Sequence, residues 1–242
     1  MSKTVTFRGT EISKSESKVL EYLERLIRKH ITPTNGKEFF QFGFESDGRN
    51  IVKLGLYNCN LKFLPETIGK LKFLKKLDLE KNKLKSLPKS ISNLESLRCL
   101  CLKENKFKQF PTYIFNLKML EILDLSRNYL KTVPESIGAL QSLIDLNLFH
   151  NKFKNLPESI GKLRTLKKLN ILDNKLRNLP GSFRNLKSLE VLYMPNKLFK
   201  DLPLYFRSIK TNYHENKNYE DNDGDEDFIG DGTIFDPPPW GY

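Results

Sequence analysis

A 23-residue period runs through most of this chain and constrains its fold more than any other feature. Asparagine recurs at that interval as Asn82, Asn105, Asn128, Asn151 and Asn174. Leucine recurs in the same register as Leu54, Leu77, Leu100, Leu123, Leu146, Leu169 and Leu192. A fixed period of roughly 20–50 residues is typical of proteins that stack one small structural unit many times. The sequence therefore predicts a repeat protein.

Each unit predicts one short strand, one turn and one helical segment. Leu77 and Leu79 fall on the same face of a strand because side chains alternate along it, and parallel stacking would join such pairs into a continuous core. The asparagine carries donors and an acceptor that can satisfy the unpaired backbone groups of a tight turn. Leu-Pro, as at Leu156-Pro157, then ends the strand, and segments such as "PESIGKL" predict a short helical or 3-10 turn on the outer, convex side.

The first 50 residues lack the period and are predicted to form an N-terminal cap. Residues 13–30 place apolar side chains at helical spacing, and "EFFQFGFESDGRNIVKLGL" alternates like two strands about the turn Ser46-Asp47-Gly48. The repeats are predicted over residues 51–209 as seven units of 23 residues. A solenoid needs a covered end, and this segment would cover the first unit.

The other end of the chain differs in charge. The whole chain has a formal net charge of +12, but residues 215–242 contain nine acidic residues and one lysine, a net charge of −8, which leaves +20 for residues 1–214. Residues 210–242 are too polar to bury themselves and are predicted to form a disordered acidic tail. Two interpretations of this tail stay open: it docks on the basic body, or it offers a short linear motif to another protein.

The chain resembles the intracellular leucine-rich-repeat proteins of the 23-residue Ras-group type, which include Shoc2-like scaffolds and plant intracellular Ras-group proteins. The resemblance rests on the repeated motif N-x-L-x-x-L-P-x-x-I-G-x-L-x-x-L and on the overlapping pattern L-x-L-x-x-N/C-x-L. The resemblance covers residues 54 to about 209. It implies an α/β fold, a right-handed leucine-rich-repeat solenoid or horseshoe with a parallel concave sheet and short convex helices or 3-10 turns. Cys59 stands where this family accepts cysteine for asparagine, which implies a buried structural thiol.

The same resemblance implies a non-catalytic scaffold that binds another protein through its concave face, in small-GTPase or other intracellular signalling. The chain differs from the larger members in having only seven repeats and no fused GTPase, kinase or cyclase. A small GTPase as the partner is therefore an analogy only.

The concave face supplies the first set of candidate binding residues. The side chains between the inward leucines point to that face, where a solenoid usually binds. The candidates are Tyr57, Asp78, Glu80, Lys103, Asp124, Arg127, Asn147, Phe149, His150, Asn170, Leu172 and Tyr193. We expect the later repeats to expose Phe149, Leu172 and Tyr193, because aromatic residues beside arginine are typical of interface hot spots. The alternative is a set of scattered apolar residues such as any protein surface carries.

A row of basic residues supplies the second set, which we call the basic edge. It contains Lys62, Lys85, Lys108, Lys131, Lys154, Arg177 and Lys200, each 23 residues after the last. Because neighbouring parallel strands lie about 4.8 Å apart, the row would form a ridge roughly 30 Å long. Such a ridge could bind a polyanion, either nucleic acid or an acidic protein. Nucleic acid is the less favoured of the two, since no recognised nucleic-acid motif or stacking platform accompanies the row.

Cysteine usage and the lack of targeting features favour an intracellular location. Cys59, Cys99 and Cys101 are odd in number and lack Cys-x-x-Cys spacing, and the chain contains no Asn-x-Ser/Thr sequon. The first residues lack an apolar signal core, and no apolar run approaches a membrane span. We therefore expect a cytoplasmic protein.

No motif for catalysis or metal binding accompanies the repeats. A phosphate-binding loop and a nucleophile elbow are absent, and His30, His150 and His214 lack metal-ligand spacing. We expect no enzyme activity, no cofactor and no metal site, and we expect the chain to be a monomer.

Overall fold

The computed structural model describes residues 3–34, 41–202, 206 and 210–212. A nine-stranded sheet forms its main body, and a separate two-stranded hairpin lies near the N-terminus. Within this part of the chain, no helix combines the length and the apolar character that a membrane crossing requires. The predicted tail, from residue 213 onward, lies outside the described residues.

The strands of the main sheet follow one another in chain order, so each unit pairs with the next. Only the first strand, β3, is antiparallel to its neighbour, and all the others are parallel. The strands are β3 (Phe42–Ser46), β4 (Ile51–Leu56), β5 (Lys76–Asp78), β6 (Cys99–Cys101), β7 (Ile122–Asp124), β8 (Asp145–Asn147), β9 (Lys168–Asn170), β10 (Val191–Tyr193) and β11 (Lys210–Asn212).

The register of the sheet is the 23-residue period of the sequence. Leu54 lies opposite Leu77, and the same pairing of leucines continues to Leu169 and Leu192. All of these leucines are fully buried in one continuous core. The predicted parallel sheet with stacked inward leucines is confirmed.

The described residues contain seven 3-10 helices, each of which begins directly after a proline, and the first six form the opposite side of the stack. They span Glu66–Lys70, Lys89–Asn93, Thr112–Asn116, Glu135–Ala139, Glu158–Lys162, Gly181–Asn185 and Asn196–Asp201. The predicted short convex helices are therefore confirmed as 3-10 helices. The last one, Asn196–Asp201, begins shortly after β10, where the earlier units carry the asparagine column, so its place in the unit differs from that of the first six.

The asparagine column joins consecutive coils from inside. The Nδ2 group of Asn128 donates to the carbonyl oxygen of Leu102 in the preceding coil at 3.0 Å, and to those of Leu125 and Ser126 in its own coil. Its Oδ1 accepts from the backbone N–H of Phe107 at 3.1 Å. The other four asparagines make the equivalent bonds. The predicted role of the asparagines is confirmed.

The "PESIGKL" segments join the coils from outside. The carboxylate of Glu158 accepts from the backbone N–H groups of Gly181 and Ser182, which begin the next helix, at 3.0 and 2.8 Å. These bonds hold the pKa of Glu158 below its ordinary value. Gly161 lies so close to the next coil that an added Cβ would come within 2.3 Å of the Ser182 carbonyl oxygen. The glutamate and the glycine of the motif are therefore explained by contacts between neighbouring coils.

One helix and two hairpins precede the repeats. Helix α1 (Lys14–Ile27) is capped by the Ser13 hydroxyl, which accepts from the Glu16 backbone N–H. The buried Glu16 carboxylate in turn accepts from the backbone N–H of Ile51 and so ties the helix to β4; burial raises its pKa. The turn between β3 and β4 contains Asp47, whose Oδ1 accepts from two backbone N–H groups of the turn. The hairpin of β1 (Thr4–Phe7) and β2 (Thr10–Ser13) was not predicted.

The C-terminal end departs from the prediction in two ways. Residues 210–212 were assigned to the tail, but they form β11 and extend the parallel sheet beside β10. Val191 lies opposite Lys210, a step of 19 residues, so the final unit is shorter than the other six. The predicted boundary at residue 210 is therefore wrong by one short strand.

Candidate protein-binding surface

The concave strands end in a turn whose backbone is left-handed in six successive units. Asn58, Lys81, Glu104, Arg127, His150 and Asp173 have φ between 51° and 56°. Residues other than glycine seldom adopt this conformation, and it costs about 1 kcal/mol or more. The turn places the side chains of these residues in a row beside the concave face. Sequence reasoning could have found this row, since it directly precedes the asparagine column.

The concave column that contains Asp78, Asp124, Asn147 and Asn170 has a structural role. In each case Oδ1 accepts from the backbone N–H two residues later, at 2.8 to 3.1 Å. This Asx turn ends the strand and starts the left-handed turn. These four side chains were predicted to be partner-binding residues; the structure shows that each is already bonded to its own backbone.

The early part of the concave face gathers carboxylates from neighbouring strands. Burial, together with the charges of Glu80 and Asp124, raises the pKa of Asp78 to about 7. Burial also raises the pKa of Asp145 to about 6 and raises that of Asp124. Glu80 is paired with Lys103 at 3.0 Å. The early concave face is therefore an acidic region whose charge changes as the pH passes through neutrality.

Asp78, Glu80 and Cys101 are the described residues that could hold a metal ion, with one ligand atom each, all within 4.8 Å of one another. A metal ligand must be deprotonated, but burial raises the pKa of the Cys101 thiol well above its ordinary value. Lys103 already neutralises Glu80. The chemistry of this cluster thus favours an ion pair and a protonated thiol over a metal. All three cysteines are free, and burial raises the pKa of Cys59 and of Cys99 to about 11.

The later part of the concave face carries aromatic and charged side chains, which we call the concave patch: Arg127, Phe149, His150, Asp173 and Tyr193. The Arg127 guanidinium lies 5.4 Å from the centre of the Phe149 ring. That ring lies 5.8 Å from the ring of His150. Nδ1 of His150 in turn hydrogen-bonds the carboxylate of Asp173 in the next unit. Tyr193 is half-buried on β10, two strands beyond β8.

The predicted concave residues differ in how far solvent reaches them. Glu80, Asp124 and Asn170 are buried, and Leu172 is only 4% exposed. The expectation that Leu172 would be exposed is wrong, because neighbouring parts of the chain cover its side chain although it does not belong to the continuous leucine core. The half-buried candidates are Tyr57, Asp78, Lys103, Arg127, Asn147, Phe149, His150 and Tyr193.

All seven residues of the basic edge are exposed, as expected. A second row of lysines lies just past the asparagines, and some of its side chains contact an aromatic ring. Lys106 and Lys152 both lie against the ring of Tyr129, at 5.4 and 5.5 Å from its centre. The Lys106 ammonium also donates to the Tyr129 hydroxyl at 3.2 Å. The ring of Tyr129 thus contacts two lysines of the second row.

Comparison with known families agrees with this geometry. Residues 52–128 match the family described as "Leucine-rich repeat region", and residues 119–140 match the one described as "Leucine Rich Repeat". The chain has the leucine-rich-repeat fold. Proteins with this fold generally mediate protein–protein interaction and are typically non-catalytic scaffolds. No curated protein sequence matches the chain.

Several solved leucine-rich-repeat structures are similar to this one. A leucine-rich-repeat protein of Leptospira interrogans has 38% identity and a TM-score of 0.58, over 61% of this chain and 37% of that one. The plant peptide hormone receptor RGFR1, in complex with RGF2, has 30% identity and a TM-score of 0.53, over 58% of this chain and 24% of that one. The ectodomain of the receptor kinase SOBIR1 from Arabidopsis thaliana has 27% identity and a TM-score of 0.55, over 70% of this chain and 98% of that one.

The lengths of these proteins limit the comparison. The chain spans well under half of the Leptospira protein and about a quarter of RGFR1. What they share with it is the stack of repeats, which other proteins use both alone and within larger receptors.

Proposed function

We propose that this leucine-rich-repeat chain is a non-catalytic scaffold that binds another protein through its concave face, at the concave patch. The observation that carries the proposal is the continuous contact from Arg127 through Phe149 to His150 and Asp173. Arginine and aromatic side chains dominate the binding free energy of many protein interfaces. A patch already held together by its own contacts also loses less side-chain entropy on binding.

The position of the patch supports the proposal. Its charged members stand on the left-handed turns, which place their side chains in a row beside the concave face. The early concave face offers less to a partner, because Asp78 and Asp124 are bonded to their own backbone and Glu80 to Lys103. Among the similar proteins, RGFR1 forms a complex with RGF2, which supports a polypeptide as the ligand.

A double substitution tests the proposal. Phe149→Ala with Tyr193→Ala should weaken capture of the native partner by at least about tenfold, or ~1.4 kcal/mol, since two ring contacts are removed. The matched control is Phe73→Ala with Tyr113→Ala, which removes two rings that are 52% and 42% exposed outside the concave patch. Equal capture by both folded variants would defeat the proposal.

The partner class is a finer part of the proposal. We propose a chain of the Ras-group type that acts in the cytoplasm as a monomer and binds a small GTPase in intracellular signalling. The 23-residue motif supports the type, and three free cysteines suit a reducing compartment. Binding to small GTPases loaded with GDP or with a non-hydrolysable GTP analogue tests the partner, and light scattering of the purified chain tests the monomer. Absence of GTPase binding would remove that partner and leave the concave patch as a binding surface.

A second candidate function is polyanion binding through the basic edge. It is favoured by one observation: among the described residues, none of the seven side chains of the edge forms an ion pair. Binding of this kind would fall steeply with salt, whereas binding at the concave patch would be less sensitive. Retention on single-stranded DNA at low salt, lost on replacing the lysines of the edge with glutamine, would support it. No retention at low salt would exclude it.

A further inference from the structure

We propose that the basic edge is the docking surface for the acidic segment Glu220–Asp227 of the same chain. This inference is independent of the concave patch, because the two surfaces share no residue. It requires a positively charged surface, an acidic segment whose charge matches that surface, and a connecting chain that is long enough to join the two.

The edge is a regular row of unneutralised positive charge. Backbone hydrogen bonds join neighbouring coils directly beside it, as from Lys83 N–H to the Leu61 carbonyl oxygen at 2.8 Å and from Arg177 N–H to that of Lys154 at 3.4 Å. Adjacent basic residues are therefore about 4.8 Å apart at their backbones. That separation is shorter than the Debye length of about 8 Å at physiological ionic strength, so solvent salt does not fully screen their repulsion. An acidic occupant would relieve it.

The second row of lysines does not neutralise the positive charge of the basic edge. Lys106 and Lys152 are held against the Tyr129 ring, which is electron-rich but uncharged. Their positive charges remain beside the row. The seven side chains of the edge thus form a strip of positive charge that no ion pair among the described residues neutralises.

The acidic segment has the matching charge. Glu220–Asp227 contains six carboxylates in eight residues, whereas the basic edge contains seven cations. Four of the carboxylates, Asp221, Asp223, Asp225 and Asp227, stand at alternate positions. In an extended strand such positions lie on one face, roughly 6.7 Å apart, so they could follow a row of cations spaced about 4.8 Å apart without strict register.

The chain between the two surfaces is long enough. The described part of the sheet ends at Asn212 in β11, beside the last repeat, and Glu220 follows eight residues later. Eight residues can reach at most about 28 Å, and the fifteen residues to Asp227 about 50 Å. The edge runs back from Lys200 over roughly 30 Å, so the segment can lie along it in the same molecule. Tethering gives the segment an effective concentration in the millimolar range, which makes even weak charge pairing sufficient.

Three variants of the full chain test the proposal. The edge variant carries Lys85→Gln, Lys108→Gln, Lys131→Gln and Lys154→Gln. The segment variant carries Asp221→Asn, Asp223→Asn, Asp225→Asn and Asp227→Asn. The control variant carries Lys70→Gln, Lys72→Gln, Lys89→Gln and Lys162→Gln, which removes four exposed lysines on the convex side and changes the net charge equally. Circular dichroism and thermal melting establish that each variant is folded.

The first measurement is zero-length carbodiimide crosslinking with mass spectrometry. In the wild type and in the control variant, we expect intramolecular crosslinks from lysines of the edge to residues 220–227, reduced at least about fivefold at 1 M salt. Crosslinks of the segment chiefly to other lysines, or only in covalent dimers, would overturn the proposal.

The second measurement is binding of polyglutamate at low salt. If the segment occupies the edge, the segment variant should bind polyglutamate about tenfold more tightly than the wild type, and the edge variant should bind it more weakly than the control variant. Equal binding by the wild type and the segment variant would show that the edge is unoccupied. Absence of crosslinks together with edge-dependent retention of single-stranded DNA would assign the edge to nucleic acid and overturn the proposal. Partner capture through Phe149 reports separately on the concave patch.

Discussion

The early and late halves of the concave face perform the same backbone task with different chemistry. Asp78 and Asp124 accept the bond of the Asx turn in the early strands, whereas Asn147 and Asn170 accept it in the late ones. The bond is nearly the same in each, but the carboxylates also bring buried charge and a raised pKa. In this column the early half therefore carries buried carboxylates tied to their own backbone, whereas the late half carries neutral amides beneath the concave patch.

The largest expected effect tests whether the two halves share one scaffold. Asn128→Ala removes four hydrogen bonds to buried backbone groups and should lower the free energy of unfolding by about 3 kcal/mol. Asn151→Ala, one coil later, should cost the same to within about 1 kcal/mol, because it makes equivalent bonds. Urea unfolding measures both. A cost under about 1 kcal/mol at either position would show that the asparagines do not hold the coils together.

The next effect concerns the convex side, where the units also differ. Gly161→Ala should destabilise the chain by about 2 kcal/mol, because the new methyl group would meet the Ser182 carbonyl oxygen. Ser92 stands at the same position of an earlier unit and already carries a Cβ. Ser92→Ala is the control and should cost less than about 1 kcal/mol, through the loss of its bond to the Lys89 carbonyl oxygen. Equal thermal midpoints for both variants would contradict the close approach of the coils at Gly161.

Exchanging the two kinds of Asx residue tests the comparison directly. The pKa of Asp78 is raised from 3.8 to about 7, so the folded chain binds its proton more tightly than the unfolded chain does. Wild-type stability should therefore fall as the pH rises from about 4 through about 7. Asp78→Asn should be more stable than the wild type at pH ~8, by about 1–2 kcal/mol after allowance for solvent screening, and equal to it at pH ~4.

The reciprocal substitution is the matched control. Asn147→Asp should lower stability at pH ~8, because it adds a charge next to Asp124 and removes the bond that the Asn147 Nδ2 group donates to it at 3.1 Å. Urea unfolding across this pH range measures both variants. An Asp78→Asn variant with the pH dependence of the wild type would show that this carboxylate does not titrate between the two values.

The smallest expected effect lies in the concave patch. Asp173→Asn alters the contact between His150 and Asp173, whose side chains are 36% and 41% exposed respectively, and should change stability by less than about 0.5 kcal/mol. Asparagine also tolerates the left-handed backbone at this position. A decrease of more than about 1.5 kcal/mol in the free energy of unfolding, measured with urea, would mean that the patch stabilises the fold rather than serving as a binding surface.

Much of the fold could be predicted because the repeat gives the same answer in every unit. The register of Leu54 on Leu77 and the bonds of Asn128 follow from spacing and from side-chain chemistry. The hairpin of β1 and β2 and the final 19-residue step were missed, because each occurs once and has no second copy to reveal it.

The candidate surfaces were predicted less evenly. The seven residues of the basic edge are exposed as expected, and Phe149 lies beside Arg127 as expected. Leu172 was misplaced, and the structural role of the Asp78 column was not anticipated. An alternating pattern indicates on which face of a strand a side chain lies. A three-residue strand is too short for that pattern to show where the following turn brings a backbone N–H within hydrogen-bonding distance of a side chain.

The sequence by itself determined the stack: a 23-residue unit can bury its leucines only against neighbours of the same kind, so the period dictates parallel strands and coil-to-coil contacts. Only the tertiary structure decided which polar columns bond to the backbone and which remain exposed to solvent. The column of Asp78 and the basic edge follow the same period, yet the Asp78 carboxylate accepts from the Glu80 backbone N–H, whereas the seven side chains of the edge are exposed. That distinction depends on distances across the turn, which the linear order of residues does not contain.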